Sequence, residues 1–146
     1  MRLIIPAYFQ APNKSGKLTD YALTSNHMYF PVRSKRRGAM LIIKPEAKAW
    51  YELAAWKAKE WVQVTGWQIP PKDKQVIMDI WYYFKNNRHP DTGNLHKALG
   101  DFHHGIIVED DRKLLWRDMG IEIDKTNPRI ELSFRIAGSE ADAPNI

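Results

Sequence analysis

The chain contains no cysteine, so neither disulfides nor thiolate-held metal can brace or equip it, which suits a reducing cytoplasm. No stretch approaches the roughly 20 consecutive apolar residues that span a bilayer, so no membrane partner is expected. The opening MRLIIPAYFQ is apolar but short, and no small-residue cleavage site comes after it, so it does not read as a secretory signal. The zinc-protease pattern HExxH is also missing. His27, His89 and His96 are scattered, while His103 and His104 are adjacent and must point to different sides of a helix end, so no zinc site is expected. Internal repeats are absent, and low complexity is confined to a short polar tail.

What is present describes one folded domain. The 146 residues suffice for a single core, taken as one domain over 1–146. A hydrophobic fraction of 44% with Trp 6, Tyr 6 and Phe 5 excludes a disordered chain. Lys and Arg number 22 against 17 for Asp and Glu, a formal net charge of +5, which favours a polyanionic partner.

Periodicity and turn chemistry suggest an element order. Residues 2–10 are β-branched and aromatic, with Pro6 marking an edge strand or bulge, and 11–26 are rich in turn residues and read as a loop, so 1–24 form an N-terminal strand and loop. Strands at 27–32 and 39–44 flank a basic, glycine-containing tip bearing Arg33, Lys35, Arg36 and Arg37, as in a hairpin. Pro45 and Glu46 open, and Gly66 closes, a helix whose Trp50, Leu53, Ala54, Lys57 and Trp61 keep helical spacing. A central strand is expected over 74–86, then a helix over 95–103 capped by Asn94, then strands over 112–125 and 128–137 joined by the turn DKTNP. Residues 138–146 read as a frayed tail. The order implies an α+β domain: a mixed sheet, a basic β-hairpin and two main helices.

The stretch HPDTGNLHKALGDFHHGIIVEDDRKL, residues 89–114, carries the chemistry. Asn94, Lys97 and Asp101 share one helical face, and Leu95, Ala98, Leu99 and Phe102 form the apolar face beside it. Glu109, Asp110 and Asp111 arrive just before the next strand. If the strands on either side of the helix are sheet neighbours, Asp91 and Asp111 are expected to lie near each other. They would then offer the hard oxygen ligands that Mg²⁺ or Mn²⁺ takes. The plainer alternative leaves these carboxylates as caps or solvated charges, and Lys97 as an exposed helix lysine.

The same segment resembles the core signature of the RusA family of Holliday junction resolvases: Asp-x-Asp-Asn, a lysine three residues on, an aspartate four further, and a paired Asp-Asp before a strand. The stretch SNHMYFPVRSKRRGAMLIIKPEAKAWYELAAW is similar to the family's N-terminal strand, basic hairpin and first helix, so the resemblance spans about residues 25–136. It implies a RusA-like fold and a Mg²⁺-dependent endonuclease, with Mn²⁺ able to substitute, acting as a homodimer that nicks branched DNA, a four-way junction, in recombination and repair. By position, the resemblance makes Asp91 and Asp111 metal aspartates with Asp110 beside them, Lys97 the catalytic lysine, and Asn94 and Asp101 supporting residues. It also places Arg33, Lys35, Arg36 and Arg37 against DNA. Such a protein works in the cytoplasm of a bacterial or phage-infected cell. Gly93 stands where the family carries its second aspartate, which removes up to two ligand oxygens and keeps a second hypothesis in play: a branched-DNA-binding protein with weak or no catalysis.

Overall fold

The computed structural model describes residues 1–138; the polar tail expected to fray falls almost wholly outside the described residues. The first strand, β1 (Leu3–Pro6), buries Leu3 and Ile5 and leaves Ile4 exposed, the alternation of an edge strand with one face on the core. The single strand expected over 2–10 is broken at Ala7. Beyond the break a separate hairpin forms from β2 (Tyr8–Pro12) and β3 (Leu18–Ala22), where a loop was expected. Its turn is built by Asn13, whose Oδ1 accepts from the backbone N–H of Ser15 and of Lys17, with Gly16 at φ 84°.

A single helical turn, α1 (Ser25–Met28), buries Met28, so the next strand starts later than the expected residue 27. It leads into the basic hairpin of β4 (Tyr29–Ser34) and β5 (Gly38–Ile43). Helix α2 (Pro45–Thr65) begins and ends on the expected signals: proline in the first turn and left-handed Gly66 at the C-terminus, whose N–H reaches the Val62 carbonyl. The buried stripe is Ala47, Trp50, Ala54, Ala58 and Trp61. Leu53 of the expected stripe is instead exposed, because at about 100° per residue it falls about a quarter-turn away from the centre of that stripe. Both tryptophans donate their indole N–H to backbone carbonyls, Trp50 to Pro6 at 3.0 Å and Trp61 to Met1 at 3.1 Å, which pins α2 along the N-terminal strand.

Three further strands, β6 (Val76–Phe84), β7 (Leu114–Ile123) and β8 (Arg129–Ile136), join β1 in a four-stranded sheet of order β1-β8-β6-β7. At its centre β6 pairs antiparallel with β8 and parallel with β7. Val76, Met78, Ile80, Tyr82 and Phe84 face the core beside Ile130, Leu132 and Phe134. On the opposite face Asp79 and Arg135 form a buried ion pair, Arg2 lies 3.6 Å from the Trp81 ring centroid, and Arg129 lies 3.9 Å from that of Tyr83. This is the mixed α+β architecture expected.

A parallel pair needs a crossover. Here it consists of a 3-10 turn (Thr92–Leu95), the short helix α3 (His96–Asp101) and a second 3-10 turn (Asp111–Lys113). The helix is shorter than the expected 95–103. Asn94 does not cap it: its own N–H bonds the Asp91 carbonyl at 3.0 Å inside the first 3-10 turn.

Beyond α3, His103 is fully buried, edge-on to Phe102 and to Phe134 of β8 at ring separations of 4.9 and 5.2 Å. Burial pushes its pKa down to about 4, against the opposing pull of nearby backbone carbonyls. The native state therefore holds a neutral imidazole that protonates on unfolding. Below pH ~6.5 the unfolded chain takes up a proton that the folded one refuses, so stability falls as pH drops from ~6.5 toward 4 and this contribution is flat below that. Guanidinium unfolding across this range should show a loss of about 3 kcal/mol from this group, and His103→Leu should remove that part of the slope relative to the wild type.

Candidate functional site

The crossover presents its polar residues because its apolar ones are committed. Leu95, Ala98, Leu99 and Phe102 are all buried, as their spacing requires, which turns Lys97 and Asp101 outward. The contact with β7 is tight. A Cβ built on Gly100 would stand 2.4 Å from the Trp116 ring, and the His96 ring stacks on the same indole at 5.0 Å. Glycine at position 100 is what lets α3 lie flat on Trp116.

Lys97 Nζ donates to Asp101 Oδ2 at 2.8 Å and sits 5.3 Å from the Tyr29 ring centroid. The hydrogen bond to Asp101 holds its pKa above the usual lysine value, outweighing partial burial. Tyr51, pushed up by burial and by its hydrogen bond to Tyr29, keeps its proton as well. Lys97 is thus a standing cation, suited to stabilising negative charge and unsuited to abstracting a proton.

It lines an open cleft of about 500 Å³ together with Pro90, Gly93 and Asn94 on one wall and Thr24, Ser25, Asn26 and His27 on the other. Asp91 is exposed at the start of the 3-10 turn. The wall formed by α1 runs directly into β4, so the hairpin rises from the edge of the cleft. Arg33, Lys35, Arg36 and Arg37 are exposed on it, and among the described residues none has an acidic partner.

Asp110 and Asp111 lie elsewhere. Asp110 accepts from Arg112 Nε at 2.8 Å, Nη2 at 2.6 Å and backbone N at 2.9 Å, and these bonds hold its carboxyl far below the usual range. It lines a second cavity, of about 370 Å³, with Val76, Lys72, Lys74 and Lys113. The strands flanking the crossover are neighbours, as the expected convergence required. However, they are parallel, with Val76 opposite Leu114 and Phe84 opposite Ile123, so the end of one and the start of the other lie at opposite ends of the pair. Thr92, next to Asp91, bonds Asp118, which is about 13 Å of extended strand beyond Leu114. One chain therefore does not bring Asp91 to Asp110 and Asp111. Among the described residues, no three His, Asp or Glu side chains gather where they could hold a metal ion.

Asp118 was not singled out from the sequence. Its Oδ1 accepts from Tyr82 Oη at 2.7 Å, its Oδ2 from Thr92 Oγ1 at 3.0 Å, and both oxygens face His96 Nε2 at 3.0 and 3.1 Å. A signal existed: Leu114, Trp116 and Asp118 share one strand face, so a carboxylate stands in the parity of core residues.

A family model described as endodeoxyribonuclease RusA matches residues 31–135, which include the basic hairpin from its third residue on, α2, the cleft residues of the crossover and both flanking strands. No curated protein matches the chain.

Two of the crossover's three glycines, exposed Gly93 and buried Gly100, should respond differently to substitution. Gly93 has an ordinary φ and nothing within 4 Å of an added Cβ, so Gly93→Asp should change the unfolding free energy by less than about 0.5 kcal/mol. At Gly100 a methyl must displace Trp116, an overpacking cost of about 1–3 kcal/mol that exceeds the roughly 1 kcal/mol gained in helix propensity. Urea titration of Gly100→Ala should show net destabilisation.

Proposed function

The chain belongs to the RusA family of endodeoxyribonucleases, whose activity is that of Holliday junction resolvases, and on that premise we propose that it introduces paired, divalent-metal-dependent nicks into four-way DNA junctions as a homodimer in the cytoplasm of a bacterial or phage-infected cell. The observation that carries this reading is the cleft. Lys97, kept cationic by Asp101, lines it with Asn94 and Gly93, next to exposed Asp91, and a hairpin of unpaired cations rises from the facing wall.

In this reading Arg33, Lys35, Arg36 and Arg37 contact backbone phosphates. They supply affinity without sequence information and position the strand across the cleft. Lys97 then stabilises the charge that develops on a non-bridging or leaving oxygen as the phosphodiester is cleaved, already held at the place where that charge appears. Asn94 offers an amide donor and acceptor to the same strand, and Asp101 keeps Lys97 in place.

RusA nucleases are generally divalent-metal dependent, and a bound ion supplies charge neutralisation at a phosphoryl oxygen and a more acidic water. The carboxylates of one chain do not fit such an ion on their own, because Asp91 is set apart from Asp110 and Asp111 and Asp110 is engaged by Arg112. We therefore assign Asp91, Asp110 and Asp111 as candidate ligands drawn from two copies. A two-fold assembly that sets the Asp110 corner of one chain against the Asp91 cleft of the other would complete the acidic set and provide two symmetric cuts. Gly93 favours one alternative, a branched-DNA-binding protein with weak catalysis, since the cleft lacks a carboxylate at that point.

A labelled four-way junction incubated with protein and Mg²⁺ separates the two readings. Symmetric nicks, lost in Asp111→Asn and reduced about 10²–10³-fold in Lys97→Met, support the nuclease; a shifted but intact junction at every metal concentration overturns it. Gly93→Asp places a carboxylate in open space and should raise the nicking rate at limiting Mg²⁺. Separately, Arg36→Gln with Arg37→Gln should reduce the slope of log affinity against log salt by roughly 2, about 0.9 for each phosphate contact removed.

A further inference from the structure

Asp118 is half-exposed, sits one residue before an irregularity in β7, and is the only carboxylate among the described residues whose hydrogen bonds reach both the central strand and the segment that carries Asp91, Asn94 and Lys97. The register explains its position. Ile80 pairs with Asp118 but Trp81 pairs with Gly120, so Met119 is an extra residue and β7 bulges there. Up to the bulge, Leu114, Trp116 and Asp118 point toward the crossover. After it, the parity resumes with Ile121 opposite Tyr82. The bulge thus ends the run of inward side chains on a carboxylate.

Its partners determine what it can do. Tyr82 is buried on the core face of β6 and brings its hydroxyl up to Asp118. Thr92 and His96 belong to the 3-10 turn and to α3, on either side of Asn94 and just before Lys97. An ionised carboxylate can only accept, so His96 presents Nε2–H to it, and the imidazole is oriented a second time by stacking on Trp116. Burial works against ionisation of Asp118, but the bonds from Tyr82, His96 and Thr92 outweigh it and keep the carboxyl below its usual range. Burial, reinforced by the bond to Asp118, keeps Tyr82 protonated. With its lone pairs already directed at these donors, Asp118 is poorly placed to ligate a metal. It is well placed to hold a turn.

We propose that Asp118 is a positioning residue: through Thr92 and His96 it fastens the 91–97 segment to the sheet, and so sets where Asp91, Asn94 and Lys97 stand in the cleft. The need for such a fastening arises from the segment itself. It contains Gly93, its helix is a single short one, and its apolar anchors Leu95, Ala98 and Leu99 hold one side only. Asp118 holds the other side. Its catalytic consequence rests on the nuclease reading, whereas the fastening does not.

The test pairs a measurement on the free protein with one on the reaction. Amide hydrogen exchange resolved by NMR should show Asn94 and Lys97 exchanging at least tenfold faster in Asp118→Ala, with β6 and β8 amides unchanged. Asp118→Asn, which keeps an oxygen for one partner, should fall between Asp118→Ala and the wild type. If the exchange of Asn94 and Lys97 is unaltered, the fastening is refuted whatever the activity. On four-way junctions with Mg²⁺, Asp118→Ala should lower kcat about 10²-fold, the cost of misplacing reacting groups by about an ångström, while junction affinity stays within threefold because the hairpin cations are untouched. Raised exchange with unchanged kcat overturns the positioning role. A wild-type protein that does not nick overturns the nuclease reading and leaves the exchange measurement to decide the fastening. Should Asp118→Ala fail to fold, Thr92→Val and His96→Phe break the same link without stranding the Tyr82 hydroxyl, and the same exchange pattern is expected of them.

Discussion

The structure depends on one pairing: β6 and β7 run side by side in the same direction. Antiparallel neighbours can be joined by a short turn, but parallel neighbours require the chain to travel back along the sheet before the second strand begins. That return carries the residues on which a functional reading rests. It lays α3 over β7, leaves Lys97 and Asn94 at a cleft, and delivers Asp110 and Asp111 to the start of the pair rather than its end. Trp116 and Asp118 on β7, with Gly100 on α3 as the point of closest approach, keep the crossover against the strand.

Charge is handled differently on each surface. On the sheet face away from the core, guanidinium groups lie over Trp81 and Tyr83 and link through Glu131, with the Asp79 and Arg135 pair buried between strands. Removing one partner of a buried pair strands the other charge, at a cost of about 3–5 kcal/mol, whereas the intact pair adds little net stability. At the cleft, Lys97 and Asp101 neutralise each other in the resting protein while leaving an ammonium available at the surface. Among the described residues, the hairpin cations have no acidic partner at all. A cationic arm without counter-charges beside a cleft with one fixed lysine is an arrangement suited to a polyanion whose backbone must be held and then cut.

Membership of the RusA family accounts for the hairpin and the crossover together. Among the described residues no three acidic or histidine side chains gather, and Gly93 leaves open room where a carboxylate would fit without backbone strain. The fixed parts, Lys97 and the segment fastened through Asp118, are those that a single chain positions unaided.

Local signals were legible where the physics is local. Pro45 and Gly66 mark the ends of α2, partial alternation marks β6, and the apolar face of Leu95, Ala98, Leu99 and Phe102 is buried as its spacing requires. Asn13 and Gly16 were read as loop residues because a turn looks the same in sequence whether or not the strands beside it pair. Asn94 read as a cap because capping chemistry is local, yet the 3-10 turn beginning at Asp91 takes its N–H first. The candidate residues, and Gly93 among them, were named from the sequence alone. Only the tertiary structure decided which of them meet: the direction of β7 relative to β6 is set by long-range strand pairing and core packing, and that direction separates Asp91 from Asp111 while bringing Asp118 to Thr92 and His96.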